Sequence, residues 1–246
     1  MFHLTIEGDV ARLRLGRPQV RNAIPAEGWR DLQALVEGST VRAARLLVIE
    51  GDRASFCAGA DLGDLAAMAG DSAACAAFRC AMRGALDALA ALGIPTIALI
   101  EGACFGAGVA LAMACDIRIA GHEARFAITP ARLGIAFPQQ DIARLVGLVG
   151  RQEALILLLT ANTIDAQEAE RIGLVTRAAD PVSACRAHVE SMLANDSQSL
   201  ALLKRGIALA GAGIGADDDQ DAEFDRLLAS SARIAGMRRA RLPDKK

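Results

Sequence analysis

The chain has 246 residues, a hydrophobic fraction of 53% and a formal net charge of -2. It is long enough to bury a substantial core, yet no apolar run reaches the roughly 20 residues that span a bilayer. The near-neutral charge provides no electrostatic footprint for nucleic acid or an anionic membrane surface, so we expect neither as a partner.

The six cysteines and three histidines predict neither a disulfide framework nor a metal site. No two cysteines have C-x-x-C spacing, no secretory signal precedes them, and no histidine has a partner at ligand spacing. We therefore expect small buried thiols, no bound metal and a soluble protein in the reducing cytoplasm.

Strand and helix patterns alternate along the first half of the chain. Residues 4–15 predict a hairpin, Pro25 stands where a helix can begin, and the apolar run 46–49 predicts a strand covered on both faces. Residues 95–100 and 117–120 predict two further strands. Strands that alternate with helices favour an α/β fold with right-handed crossovers.

A glycine-rich stretch lies between the last two of these strands. Residues 102–108 contain three glycines, and residues 109–115 are small, apolar and helix-forming. This order predicts a strand, a tight glycine turn and a buried helix. Such a helix presents unpaired backbone N–H groups and the positive end of its dipole, which suits a permanent or transient negative charge. The spacing does not match G-x-G-x-x-G, which disfavours dinucleotide binding.

The second half of the chain is mainly helical. Prolines and glycine keep residues 126–138 irregular, and residues 141–149 and 151–159 predict two helices. The pattern stays helical from residue 182 onward. We divide the chain into a core, residues 1–195, and a C-terminal helical region, residues 196–246.

Four motifs, taken together and in this order, resemble the enoyl-CoA hydratase/isomerase (crotonase) superfamily. They are Phe56-Cys57-Ala58-Gly59-Ala60-Asp61-Leu62, the glycine-rich stretch up to Asp116, Phe126-x-x-x-Pro130-x-x-x-Gly134-Ile135, and Ile164-Asp165-Ala166-x-x-Ala169-x-x-x-Gly173-Leu174-Val175. The resemblance covers roughly the first 190 residues, and the combination is far more specific than any single motif.

The resemblance implies a spiral of ββα units with a C-terminal helical trimerisation region. It also implies lyase or isomerase chemistry on an acyl-CoA thioester in fatty acid metabolism, with no cofactor other than the CoA of the substrate. The implied assembly is a homotrimer, or a hexamer built as a dimer of trimers.

The resemblance places an oxyanion hole at the backbone N–H groups of Ala60 and Ala107. Preorganised donors of this kind stabilise the negative charge that develops on a thioester oxygen as an enolate forms. The implied CoA contacts, largely through the backbone, belong to Val20, Asn22, Ala58, Asp61 and Leu62. Near its end the sequence has a basic tail that includes Arg238, Arg239 and Arg241. These arginines either contact the CoA phosphates or are solvated.

The chain departs from the hydratases of this family at both acid positions. Those enzymes use two glutamates to position water and move a proton, and Ala110 and Pro130 stand in their places. We therefore predict negligible hydration by the two-glutamate mechanism. Asp141 is a possible substitute acid, although we expect it to serve as a helix N-cap.

Three interpretations of function stay open. One is an acyl-CoA enzyme that stabilises an enolate and uses an unidentified acid-base group. Another is a catalytically inactive homologue that binds a CoA thioester. The last is an enzyme that resembles methylmalonyl-CoA decarboxylases, although Phe137 and Ala60 replace the tyrosine and histidine of those enzymes.

Overall fold

The computed structural model describes residues 1–52 and 55–230 of the chain. Within these residues, ten strands form two sheets. In chain order they are β1 (Phe2–Glu7), β2 (Val10–Leu15), β3 (Leu46–Glu50), β4 (Ser55–Cys57), β5 (Thr96–Ile100), β6 (Ala103–Phe105), β7 (Ile117–Gly121), β8 (Arg125–Ala127), β9 (Ile164–Asp165) and β10 (Thr176–Ala178).

Ten α-helices and two 3-10 turns, Pro18–Val20 and Pro130–Leu133, complete the described part of the chain. None of these helices is both long and apolar enough to cross a bilayer. The α-helices are α1 (Gly28–Glu37), α2 (Ser39–Ala43), α3 (Leu62–Ala67), α4 (Ser72–Ala90), α5 (Ala107–Ala114), α6 (Gln139–Thr160), α7 (Ala166–Arg171), α8 (Pro181–Leu193), α9 (Ser197–Gly211) and α10 (Asp218–Leu228).

The larger sheet has six strands in the order β1-β2-β3-β5-β7-β10. β1 and β2 form the predicted antiparallel hairpin, and the other neighbouring pairs are parallel. In β3, Leu47 and Ile49 pack on one side of the sheet whereas Leu46 and Val48 pack on the other. All four are fully buried, because α1 and α4 cover one face and α8 covers the opposite face.

Three consecutive ββα units carry the chain back and forth between the two sheets. Each unit places its first strand in the larger sheet and its second in a four-stranded sheet with the order β4-β6-β8-β9. β3 and β4 lead to α3 and α4, β5 and β6 lead to α5, and β7 and β8 lead to α6. β4, β6 and β8 are parallel to one another, so their carboxyl ends lie at one edge of the smaller sheet.

Local patterns in the sequence do not predict most of the smaller sheet. They predict residues 102–108 as one glycine turn, but β6 lies within that stretch. β4 and β6 have only three residues each, and they are stabilised by pairing with strands distant in sequence, so local periodicity does not reveal them. The two predicted helices at 141–149 and 151–159 are confirmed as halves of α6, which Gly150 interrupts with φ 77 and ψ 168.

The C-terminal helices α9 and α10 pack against each other, and α9 is attached to the core through Lys204. The Lys204 ammonium lies 2.8 Å from the Asp116 carboxylate and donates a hydrogen bond to the Ile94 carbonyl at 2.9 Å. The predicted division at residue 195 falls just before α9 and stays a prediction. The basic tail, which includes Arg238, Arg239 and Arg241, lies outside the described residues.

Candidate functional site

The smaller sheet brings three loops together at one edge. The loop of residues 58–61 follows β4, Gly106 follows β6, and residues 128–138 follow β8. Because the three strands are parallel neighbours, the loops at their carboxyl ends lie side by side. Chain segments that are distant in sequence therefore form one site.

The first loop holds Ala60 with its N–H free. Ile24 donates a hydrogen bond to the Gly59 carbonyl at 2.8 Å, and its own carbonyl accepts one from the Asp61 N–H at 3.0 Å. In an extended segment, successive residues direct their N–H groups to opposite sides, so the N–H of Ala60 points away from Ile24. No acceptor in the described part of the chain takes a hydrogen bond from it.

The second loop turns directly into α5. The Gly106 N–H donates to the Ala127 carbonyl at 2.8 Å, and Gly106 adopts φ 52, a conformation that favours glycine. Ala107 is the first residue of α5, and the first N–H groups of a helix have no intrahelical acceptor. Among the residues that the structure describes, none accepts a hydrogen bond from the Ala107 N–H.

Two glycines allow these loops to touch. A methyl group on the Gly59 α-carbon would lie 2.7 Å from the Phe105 carbonyl oxygen and 3.1 Å from the Ala107 nitrogen. A methyl group on Gly108 would overlap the carbonyl oxygen of Cys57. The close approach of the two backbones therefore places the Ala60 and Ala107 donors on the wall of one cavity of about 340 Å³.

We expect Gly108→Ala to destabilise the protein by about 1–3 kcal/mol, because the added methyl must push α5 away from β4. The matched control is Gly147→Ala in the exposed part of α6, where a methyl would meet no atom within 4 Å. This change should stabilise the helix by roughly 0.5–1 kcal/mol. Chemical denaturation of the three proteins measures both effects, and equal stability of the Gly108→Ala variant and the wild type would contradict the packing.

The site consists of two cavities that share a wall. The first cavity is the one of about 340 Å³ described above, and the second has a volume of about 410 Å³. Exposed apolar side chains surround both, with Leu62 63% and Leu133 50% exposed, as is common around ligand sites. The shared wall consists of Ala58, Ala60, Leu62, Thr129 and Leu133.

A larger cavity of about 500 Å³ lies elsewhere, beside β2, β3 and α8. Four charged groups in its wall are paired with one another: Arg12 lies 2.7 Å from Glu7, and Glu50 lies 3.4 Å from Arg12 and 2.9 Å from Arg14. Because these four charged groups are already paired, we place the functional site at the two joined cavities instead.

Four of the five residues predicted to contact CoA line the second cavity, and the fifth does not. Asn22 is buried, and its side chain accepts a hydrogen bond from the Arg17 N–H at 3.0 Å and donates one to the Ser55 carbonyl at 2.8 Å. Its side chain therefore fixes the loop that precedes α1. The four residues at the cavity are Val20, Ala58, Asp61 and Leu62.

Asp61 connects this cavity to the start of α3. Its carboxylate caps the helix by accepting from the Gly63 N–H at 3.0 Å, and it lies 3.1 Å from the Arg17 guanidinium. Desolvation opposes ionisation of Asp61, but the hydrogen bonds from Arg17 and Gly63 outweigh it and lower the pKa of the carboxyl group. A negative charge is thus held at the edge of the second cavity.

The two positions at which the resemblance implies glutamates differ in their surroundings. Pro130 begins the 3-10 turn after β8 and lines the first cavity, whereas Ala110 is completely buried within α5. No aspartate or glutamate belongs to the described wall of the first cavity. Within the described ranges, no group of three potential metal ligands occurs either.

The expectation that Asp141 serves as an N-cap is wrong. Pro138 occupies the cap position of α6, and Asp141 follows inside the first turn. Its carboxylate is fully buried and lies 2.8 Å from Arg83 and 3.4 Å from Arg144. Burial of the Arg83 guanidinium lowers its pKa, but its interactions with the Asp141 and Asp87 carboxylates outweigh this effect, so the pKa of Arg83 is raised. Asp141 is not part of the first cavity's wall.

The cysteines beside the two donor loops are packing residues. Cys57 and Cys104 are fully buried, and desolvation raises the pKa of the Cys57 thiol to about 12. A thiol with such a pKa stays protonated near neutral pH and is a poor nucleophile.

Arg79 is a wall residue that the sequence analysis did not select. It lies on α4 together with three other residues that line the first cavity, Cys75, Phe78 and Met82. The spacing i, i+3, i+4, i+7 marks one face of a helix. A charged residue on this otherwise uncharged face is the sequence signal that could have identified Arg79 as a candidate.

Comparisons with known proteins agree on one family. Residues 5–209 match the family model described as enoyl-CoA hydratase/isomerase. A protein of Mycobacterium bovis named "Probable enoyl-CoA hydratase" is 34% identical over 177 residues, which are 71% of this chain and 67% of that protein.

Solved structures extend the likeness over nearly the whole chain. An enoyl-CoA hydratase from Bacillus anthracis superposes with a TM-score of 0.85 at 25% identity, covering 96% of this chain and 94% of that one. A protein from Magnetospirillum magneticum, titled an enoyl-CoA hydratase/carnithine racemase, has a TM-score of 0.91 at 26% identity, covering 98% of this chain and 92% of that one. These superpositions confirm the predicted crotonase-like α/β fold, and the chain belongs to the enoyl-CoA hydratase/isomerase family.

Proposed function

We propose that this protein binds an acyl-CoA thioester and stabilises its enolate through the backbone N–H groups of Ala60 and Ala107. The observation that carries the proposal is the presence of two unpaired N–H donors on touching loops of one cavity. Both residues are half-buried, and two free N–H donors on one cavity wall can together receive an oxygen that carries negative charge.

The chemistry follows from where charge develops. As a proton leaves the α-carbon of a thioester, negative charge moves to the carbonyl oxygen, and donors fixed beforehand stabilise that charge without reorganising. The N–H of Ala107 also belongs to the first turn of α5, where the helix dipole is positive. Each donor is worth on the order of 3 kcal/mol in the transition state.

The two cavities give the substrate a direction. Because Val20, Ala58, Asp61 and Leu62 line the second cavity, we place the CoA moiety there and the acyl group in the first cavity. Ala60 belongs to both walls, which suits a thioester held at the junction. The proposed site needs no cofactor beyond the CoA of the substrate.

The reaction we propose is enolate chemistry other than two-glutamate hydration. Ala110 and Pro130 carry no carboxylate, and Asp141 is engaged by two arginines outside the cavity wall. A decarboxylase would require enolate stabilisation above all, but Phe137 lines the first cavity without a hydroxyl group. An inactive homologue would bind CoA thioesters without stabilising the enolate, which makes enolate formation the distinguishing measurement.

Acetoacetyl-CoA tests the proposal directly, because its enolate forms readily and absorbs ultraviolet light differently from the keto form. We expect the bound ligand to ionise at a pH at least about 2 units lower than the free ligand, since two donors stabilise the enolate. Titration of the ligand with excess protein across a pH series measures the shift. Tight binding without a shift would assign the protein to the inactive class.

We further propose that the C-terminal helices contact other copies of the chain, in a homotrimer or in a hexamer of two trimers. α9 and α10 leave large apolar side chains exposed, including Leu203, Ile207 and Phe224 at 64%, 75% and 57%. Exposed apolar groups of this size favour burial in an interface. Sedimentation analysis of the full chain measures the assembly.

We place the protein in the cytoplasm, where its free cysteines would stay reduced.

A further inference from the structure

One side of the first cavity carries an unexpected charge. α4 lines the cavity with Cys75, Phe78, Arg79 and Met82, and Arg79 stands among apolar or weakly polar neighbours. No other residue in the described wall of this cavity is charged. Arg79 is exposed, and the aliphatic stem of an arginine can cover apolar neighbours while its guanidinium stays in polar surroundings.

Arg79 also differs from Arg83 and Arg144, which are both ion-paired. Arg83, one turn later, lies 2.9 Å from Asp87 and 2.8 Å from Asp141, and Arg144 lies 2.9 Å from Asp87. In the ranges that the structure describes, no carboxylate lies within 4.0 Å of Arg79 as an ion-pair partner. Its guanidinium therefore has its hydrogen-bond donors available to a ligand.

The loss of both family glutamates fits this charge. Pro130 lines the cavity where a carboxylate would otherwise be, and Ala110 adds none from α5. The described wall of the first cavity therefore carries one guanidinium, two free backbone N–H groups and no carboxylate. A negatively charged acyl group would meet no like charge there, whereas it would be repelled by a pair of glutamates.

We propose that the acyl group of the substrate ends in a carboxylate, and that Arg79 is the residue that selects it. The inference rests on the proposed function, because it needs the thioester at Ala60 and Ala107. A carboxylate on an otherwise apolar acyl chain is costly to desolvate unless a charged donor receives it, and a guanidinium offers two parallel N–H groups for this purpose. The ion pair with Arg79 stabilises the carboxylate in the ground state, and this stabilisation would be lost if the charge moved away as CO2 left, so this group is held during the reaction and is not the group that leaves.

Isothermal titration with matched ligands tests the inference. Glutaryl-CoA and pentanoyl-CoA have the same chain length and differ in the terminal carboxylate. We expect the wild type to bind glutaryl-CoA about 10-fold more tightly or better, the range of a charged hydrogen bond to a partly exposed group. Arg79→Met should abolish this preference while leaving pentanoyl-CoA binding unchanged, and Arg79→Lys should retain part of it.

The matched control is Arg42→Met, which removes an exposed arginine of α2 that lines neither cavity. It should keep the full preference for glutaryl-CoA. Equal binding of the two ligands by the wild type would overturn the inference and leave the proposed function intact. The inference would also be overturned if Arg79→Met lowered the affinity for CoA, glutaryl-CoA and pentanoyl-CoA by the same factor, because Arg79 would then contact the CoA phosphates. Failure to bind any CoA thioester would overturn both proposals.

Discussion

Replacing Ala107 with proline should raise the pKa of acetoacetyl-CoA bound to the protein by about 2 units relative to the wild-type complex. The substitution deletes one N–H donor, and one such donor is worth roughly 3 kcal/mol to an oxyanion. Any turnover that depends on the thioester should fall by about 10²–10³-fold for the same reason. Ultraviolet titration of the bound ligand measures the first effect, and product analysis by mass spectrometry measures the second.

The structure makes this substitution mild for the fold. Ala107 is the first residue of α5, a position that accepts proline because its N–H has no intrahelical acceptor. Ser72→Pro is the matched control, since Ser72 is the exposed first residue of α4 and its N–H does not take part in the Asp71 cap. Ala107→Gly keeps the N–H. An Ala107→Pro variant that folds and ionises the ligand like these controls would refute the oxyanion assignment.

Hydration of crotonyl-CoA by the wild-type protein should be slower than that of a hydratase with both glutamates by about 10⁴-fold or more. Each general acid or base contributes typically 10²–10⁴-fold, and here both positions lack a group that can transfer a proton. Loss of the ultraviolet absorbance of the conjugated thioester measures the rate. Rapid hydration by the purified protein would show that another residue has taken over proton transfer.

A gain of function at Pro130 sharpens this prediction. Pro130→Glu places a carboxylate on the wall of the first cavity, and Pro130→Gln places an amide of the same shape there. We expect the glutamate variant to exchange the α-protons of butyryl-CoA with deuterated water about 10²-fold faster than the wild type, and the glutamine variant to show no gain. Equal rates for the two variants would mean that the residue at position 130 does not reach the α-carbon.

Local pattern was enough to predict five of the six strands of the larger sheet, and the combination of motifs was enough to identify the family. The continuous apolar run of β3 reflects burial on both faces of the sheet. The alternating residues of β1 and β2 reflect burial on one face, so both patterns can be read from the sequence. The spacing of the family motifs also identified Ala60 and Ala107 as candidate donors. A backbone donor leaves no trace in its own side chain, so these two predictions depended on the resemblance.

Tertiary structure decided the rest, because it depends on contacts between segments far apart in the chain. Short strands such as β4 and β6 exist through their pairing, and that pairing brings the loops of Ala60 and Ala107 together. The tertiary structure also shows that the Asn22 side chain fixes a loop through hydrogen bonds. It further shows that Asp141, within α6, is paired with Arg83 and Arg144. The sequence by itself determined the fold and the positions that lack an acid, whereas only the three-dimensional packing placed Arg79 at the cavity.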